Sequence, residues 1–160
     1  MARRTWMSRA RHQHDGTMQR EALRSVPSFS ACTRAELAVV DAATYEITLA
    51  PGVVLAVEDE RPSQVVFVVD GTLVGTVGDE IVAWWRRGAC VCGYEVFARR
   101  ANTMTVSTAS TVTARVASVR EYLGLVAQVP GLAPAIPVLS TARADDAVAA
   151  HAGARVGAVE

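Results

Sequence analysis

Only a few residues in this chain of 160 have side chains and spacings that could support a site. Cys90 and Cys92 stand two apart in Cys90-Val91-Cys92-Gly93-Tyr94-Glu95, and Arg99, Arg100, Asn102 and Thr103 follow within a dozen positions. Two residues apart on a strand, the thiols would point to one side. A zinc site needs about four ligands; the third cysteine is Cys32, and the histidines are His12, His14 and His151. Buried thiols are therefore expected, and no metal. No histidine falls between Leu23 and Ala150, which removes histidine-based nucleophilic catalysis and a cupin-type metal centre from consideration. No enzyme is expected.

Arginines also crowd the start of the chain, at Arg3, Arg4, Arg9, Arg11, Arg20 and Arg24, but the formal net charge is zero and there is no lysine. We read residues 1–18 as a disordered basic arm of compositional origin, without a secretory apolar run. No nucleic-acid partner is expected. No stretch reaches the roughly 18 apolar residues of a membrane span, so a cytoplasmic, membrane-free protein is expected. An odd cysteine count without a secretion signal argues against a disulfide framework.

The elements that must position the loop have distinct periods. Thr33 with Glu36 forms a capping box that opens a short helix through Leu37 and Val40, and residues 20–25 form a helical piece before it that Pro27 limits. Tyr45–Leu49, Val53–Val57, Gln64–Val69, Leu73–Val77, Ile81–Trp85, Met104–Thr108 and Thr111–Ala117 are short β-branched runs punctuated by Pro51-Gly52, Gly71, Gly78-Asp79 and Gly88. That pattern is an all-β roll or sandwich. Val65–Val69 is apolar on both faces and reads as a central, doubly covered strand. In the last run Val112, Ala114 and Val116 alternate with Thr113 and Arg115, one set facing in and the other out. Ser118 with Glu121 opens a second capped helix that ends at Pro130-Gly131. Trp84 and Trp85 are neighbours on one strand, so one faces the roll and the other faces out beside Arg86 and Arg87. The outward tryptophan is either covered by a helix or part of a partner surface.

Leu23, Val26, Pro27 and Phe29 before the Glu36-Leu37 helix, Pro51-Gly52-Val53-Val54-Leu55, and Val65–Val69 running into Asp70-Gly71 with a later Gly88 together resemble the cyclic-nucleotide-binding domain family. This family includes the catabolite activator protein and the regulatory subunits of protein kinase A. The resemblance runs from Leu23 to Gly131. It implies a mainly β, jelly-roll-like β-roll with N-terminal and C-terminal helices over residues 19–131, followed by a weak helix and tail over 132–160. It also implies that the loop after Gly88 is a phosphate-binding cassette, whose family pattern is a glycine, a glutamate for the ribose, a turn of helix and an arginine for the phosphate.

Laid down without a gap, Cys92 falls at the glycine, Gly93 at the glutamate, Glu95 at the alanine and Asn102 with Thr103 at the arginine and its neighbour. If Gly93 is the motif glycine instead, Tyr94 falls at the glutamate and Asn102 still replaces the arginine. A lost charge-assisted hydrogen bond of about 1.5–3 kcal/mol weakens phosphate binding by roughly ten- to a hundredfold or more. Arg99 or Arg100 folding back over a phosphate would restore the charge; otherwise both are solvated loop residues. Tyr94 is read as a pocket cap or as core, and Glu95 as a partner of the arginines. The resemblance thus implies a regulatory module that binds cyclic AMP or cyclic GMP weakly and works through a protein partner or self-association, or a scaffold that has lost its ligand. Too few patterned residues follow Thr141 for a helix-turn-helix.

Overall fold

The computed structural model describes residues 20 and 22–132. The arm read at 1–18 and the tail from 133 onward lie outside the described residues. Eight strands form two four-stranded antiparallel sheets. The strands are β1 (Tyr45–Leu49), β2 (Val54–Ala56), β3 (Gln64–Asp70), β4 (Leu73–Val77), β5 (Glu80–Trp85), β6 (Cys90–Val91), β7 (Thr105–Thr108) and β8 (Val112–Ser118). Sheet one has the order β1-β8-β3-β6 and sheet two β2-β7-β4-β5. Their inner faces meet in a core that includes Ile47, Val66, Val68, Leu73, Trp85, Val106 and Val116.

The outer face of sheet one carries a second core, built with helices α1 (Arg34–Ala43), α2 (Gly93–Phe97) and α3 (Val119–Gln128). Residues 20 and 22–24 are helical, and Pro27–Phe29 forms a 3-10 turn where the proline stops that piece. Both capping boxes form as the sequence predicts, Thr33 with Glu36 and Ser118 with Glu121, each side chain satisfying the other's backbone N–H. Val65–Val68 is buried throughout. Its residues alternate between the cores, Val65 and Phe67 toward the helices and Val66 and Val68 into the roll.

Two expectations need correction. Arg115 does not face solvent; it is 2% exposed. The face opposite Val112, Ala114 and Val116 is covered by α1, whose C-terminal end offers acceptors to the guanidinium. Arg115 donates through Nε to Thr44 Oγ1 (3.0 Å) and through Nη2 to Asp41 Oδ1 (2.7 Å) and to the carbonyls of Asp41 and Thr44 (both 3.2 Å). A cation there satisfies carbonyls that the helix leaves unpaired. The second correction is to the cysteines. Cys90 lies on β6, whereas Cys92 has left the strand to precede α2, so the thiols share no strand face.

Glu36 does a further job. Its Oε2 accepts the Thr33 N–H at 2.6 Å and its Oε1 accepts the Gly131 N–H at 3.1 Å, tying the start of α1 to the turn after α3. The Thr33 and then the Gly131 backbone bonds hold its carboxyl below the usual carboxylate range. The folded protein therefore binds this proton more weakly than the unfolded chain does. The stabilisation is complete above the ordinary carboxylate range and is lost as pH falls through the depressed value. Urea midpoints followed from about pH 6 down to about pH 3 should fall less steeply for Glu36→Gln than for the parent chain. Arg115→Met should cost about 3 kcal/mol in urea unfolding at neutral pH, the low end for breaking a buried pair because Asp41 is partly open to water.

Candidate functional site

The loop that joins β6 to β7 begins at a strained corner. Cys92 has φ +66° and ψ 0°, left-handed values that favour glycine, and it is the N-cap of α2 without a side-chain capping bond. Gly93 follows with no room for a side chain. A Cβ there would stand 2.7 Å from Cys90 Sγ and 2.8 Å from the Tyr122 hydroxyl. Tyr122 is fully buried on α3, and its ring joins Phe67 and Phe29 in a tilted aromatic row. Its hydroxyl has no hydrogen-bond partner among the described residues. Burial, then Cys90 and Glu95, push the phenol far above its ordinary range, so it stays neutral.

The C-terminal end of α2 is closed by a Schellman arrangement. The Arg100 N–H donates to the Glu95 carbonyl (2.8 Å) and the Arg99 N–H to the Val96 carbonyl (3.2 Å), with Arg99 at φ +55°. Arginine occupies a position where glycine is usual. Asp59, with φ +63°, donates its backbone N–H to the Asn102 carbonyl at 2.9 Å. All three non-glycine residues with positive φ among the described residues thus belong to this loop or bond to it. Such conformations cost of order 1–3 kcal/mol each and persist only where the surroundings fix them.

Two of them, Cys92 and Asp59, bond to Asn102. It is 5% exposed. Its Nδ2 donates to the Val57 carbonyl (3.1 Å), its Oδ1 accepts the Cys92 thiol (3.6 Å), and its backbone N–H donates to the Glu60 carbonyl (2.9 Å). A neutral amide therefore clamps the β2–β3 connection to the corner at Cys92.

The arginines go elsewhere. Arg99 and Arg100 are exposed and line an open groove of about 570 Å³ with Arg61, Pro62, Glu95, Phe97, Val119 and Leu123. Cys92, Gly93 and Asn102 are not among its walls. Thr103 is exposed, and Tyr94, at 39% exposure, is not core. The loop therefore divides into a buried set, Cys92, Gly93 and Asn102, and an outer set, Tyr94, Glu95, Arg99, Arg100 and Thr103. Sequence reasoning missed Arg61, Tyr122, Val57 and Asp59. No local signal marks them, since each reaches the loop from another element. No group of three or more His, Cys, Asp or Glu among the described residues could hold a metal ion.

Among solved structures the arrangement has clear counterparts. The regulatory subunit of a cAMP-independent protein kinase A from Trypanosoma brucei superposes with a TM-score of 0.65 at 19% identity, over 76% of this chain and 43% of that one. The cAMP-bound PfPKA-R structure gives 0.62 at 13% identity, over 68% of this chain and 39% of that one. A putative cyclic nucleotide-binding protein from Geobacter metallireducens gives 0.64 at 17% identity, over 77% and 96%. The chain has the fold of a cyclic-nucleotide-binding domain. It spans less than half of the two kinase-subunit chains and nearly all of the Geobacter chain. No protein-family model and no curated protein matches it.

In this cyclic-nucleotide-binding fold the packing of Gly93 beneath α3 makes a direct test possible. Gly93→Ala should cost about 1–3 kcal/mol in urea unfolding, the range for overpacking a filled site. Tyr122→Phe should be close to neutral, because the hydroxyl it removes is buried without a partner. The double variant should be less destabilised than the sum of the two by about 0.5 kcal/mol or more.

Proposed function

We propose that this chain is a regulatory module of the cyclic-nucleotide-binding type whose pocket has been converted from a phosphate receptor into a closed structural corner, and that it acts through a protein partner. The observation that carries this reading is Asn102. At the position the resemblance reserves for arginine stands a buried amide engaged by Val57 and Cys92. Cys92 at φ +66° supports the gapless register, since it takes a backbone conformation suited to the glycine expected there. That register puts Gly93 at the ribose-binding glutamate, where the Tyr122 hydroxyl and Cys90 leave no space for a longer side chain.

Arg99 and Arg100 give no support to a rescue, because they line the groove with Arg61 while Asn102 does not. The Trypanosoma brucei neighbour offers a parallel. It is described as cAMP-independent, and a mutant of it that gains an arginine in place of threonine, with two further changes to alanine, is described as bound to cAMP. We read Asn102 by the same chemistry, as the position in this chain where an arginine for the phosphate is replaced by a neutral amide. Nothing in the loop offers a nucleophile with a base, so we read the module as non-enzymatic. Among the described residues no helix is long and apolar enough to cross a membrane.

Thermal unfolding with cyclic AMP or cyclic GMP tests the reading. A site with a dissociation constant of about 1 μM would stabilise the fold by about 2.7 kcal/mol at about 0.1 mM ligand, a rise of several degrees. We expect no measurable rise with either nucleotide. A clear rise would overturn the reading, and its disappearance in an Arg99→Ala/Arg100→Ala variant would assign the binding to those arginines.

A further inference from the structure

The outer face of sheet two ends in an edge strand that carries large exposed apolar side chains as well as charged ends. Among the described residues β5 is the last strand in its sheet and pairs on one side with β4. Edge strands are ordinarily guarded by charge, proline or a bulge that turns them away. Here the pairing with β4 shifts register between Gly75 and Thr76. Regular alternation from Ala83 and Trp85, both buried, would turn Ile81 inward. The shift instead pairs Ile81 with Thr76 on the outer face, and Ile81 is 53% exposed. Trp84, at 55%, stands on the same face. Trp84 is registered with Val74, Val74 with Ser107 and Ser107 with Val54, so an outward row crosses the whole sheet and ends in a large aromatic residue at its free edge.

The ends of the same strand are oppositely charged. Asp79 precedes β5 and Glu80 opens it, while Arg86 and Arg87 follow it; all four are exposed, and Arg87 donates to the Ser25 carbonyl and hydroxyl. A strand that is acidic at its start and basic at its finish is complementary to itself in the antiparallel sense. A two-fold axis passing between Val82 and Ala83 sets Trp84 of each copy against Ile81 of the other, and the acidic end of each strand against the other's basic end.

We propose that β5 is a self-association edge, along which two copies of this chain meet antiparallel through Trp84, Ile81 and the charged strand ends. The charge pattern favours a second copy over an unrelated partner, because both charge pairs recur by symmetry in an isologous interface. The apolar contact supplies the affinity, and the charges set register and direction. This inference does not depend on whether the pocket binds a nucleotide.

Sedimentation equilibrium of the full chain tests it, with a concentration-dependent mass rising to twice that of the chain as the expected result. Trp84→Ser/Ile81→Thr should raise the dissociation constant by at least about tenfold. Both positions are exposed, and an unchanged thermal midpoint verifies the fold. Asp79→Arg and Arg86→Glu should each weaken self-association, and an equimolar mixture of the two variants should form a heterodimer tighter than either homodimer. A chain that stays monomeric up to about 0.2 mM overturns the proposal. So does self-association that is indifferent to Trp84, Ile81 and the charge reversals. Nucleotide addition separates the two readings, since a nucleotide-dependent melting shift without a dimer refutes both, and a dimer without such a shift supports both.

Discussion

The structure hangs on two neighbouring strands that are buried on both faces. β3 and β8 lie side by side in the middle of sheet one, registered from Gln64 opposite Ser118 to Val68 opposite Ala114. Each must fill two different cores at once. Val66, Val68, Val112, Ala114 and Val116 pack into the roll, while Val65, Phe67 and Ala117 pack under the helices. A one-residue slip of either strand would exchange its own two sets, and a slip of β8 would also drive Arg115 into the apolar roll, so the register is strongly specified. The Arg115 charge is buried on the helix side, where the end of α1 supplies acceptors at Asp41 and Thr44.

The helices are fastened to this pair at both ends of the domain. Arg115 fixes the C-terminal end of α1, and Glu36 fixes its N-terminal end to the turn after α3. α3 in turn carries Tyr122, which reaches under the loop corner at Gly93. A path of direct contacts therefore runs from α1 through the turn after α3 to the corner at Cys92. In a ligand-responsive domain such a connection would transmit occupancy to the helices. In this chain it packs α3 against the corner, and Asn102 bonds the corner to the β2–β3 connection from the other side.

Much of this was legible in the chain. The strand runs matched the observed elements to within a residue or so at each end, because period-2 burial and turn residues act locally. The two capping boxes were readable for the same reason, each being complete within four residues. The resemblance gave the fold that the structure has, a β-roll with helices on the outside of one sheet. The two-residue strand β6 was not resolved as an element, since Cys90 and Val91 gain their strand character from pairing with Val66 and Phe67.

What the sequence determined by itself was the sequence of elements, the two capping boxes and the expectation that one of two adjacent tryptophans faces outward. Tertiary structure decided the rest. It buried Arg115, turned Cys92 out of its strand into a left-handed corner, assigned Arg99 and Arg100 to an outer groove with Arg61, and exposed Trp84 beside Ile81. Local spacing fixes which way a side chain points from its own backbone. Whether it meets water, a helix end or a distant carbonyl depends on elements tens of residues away.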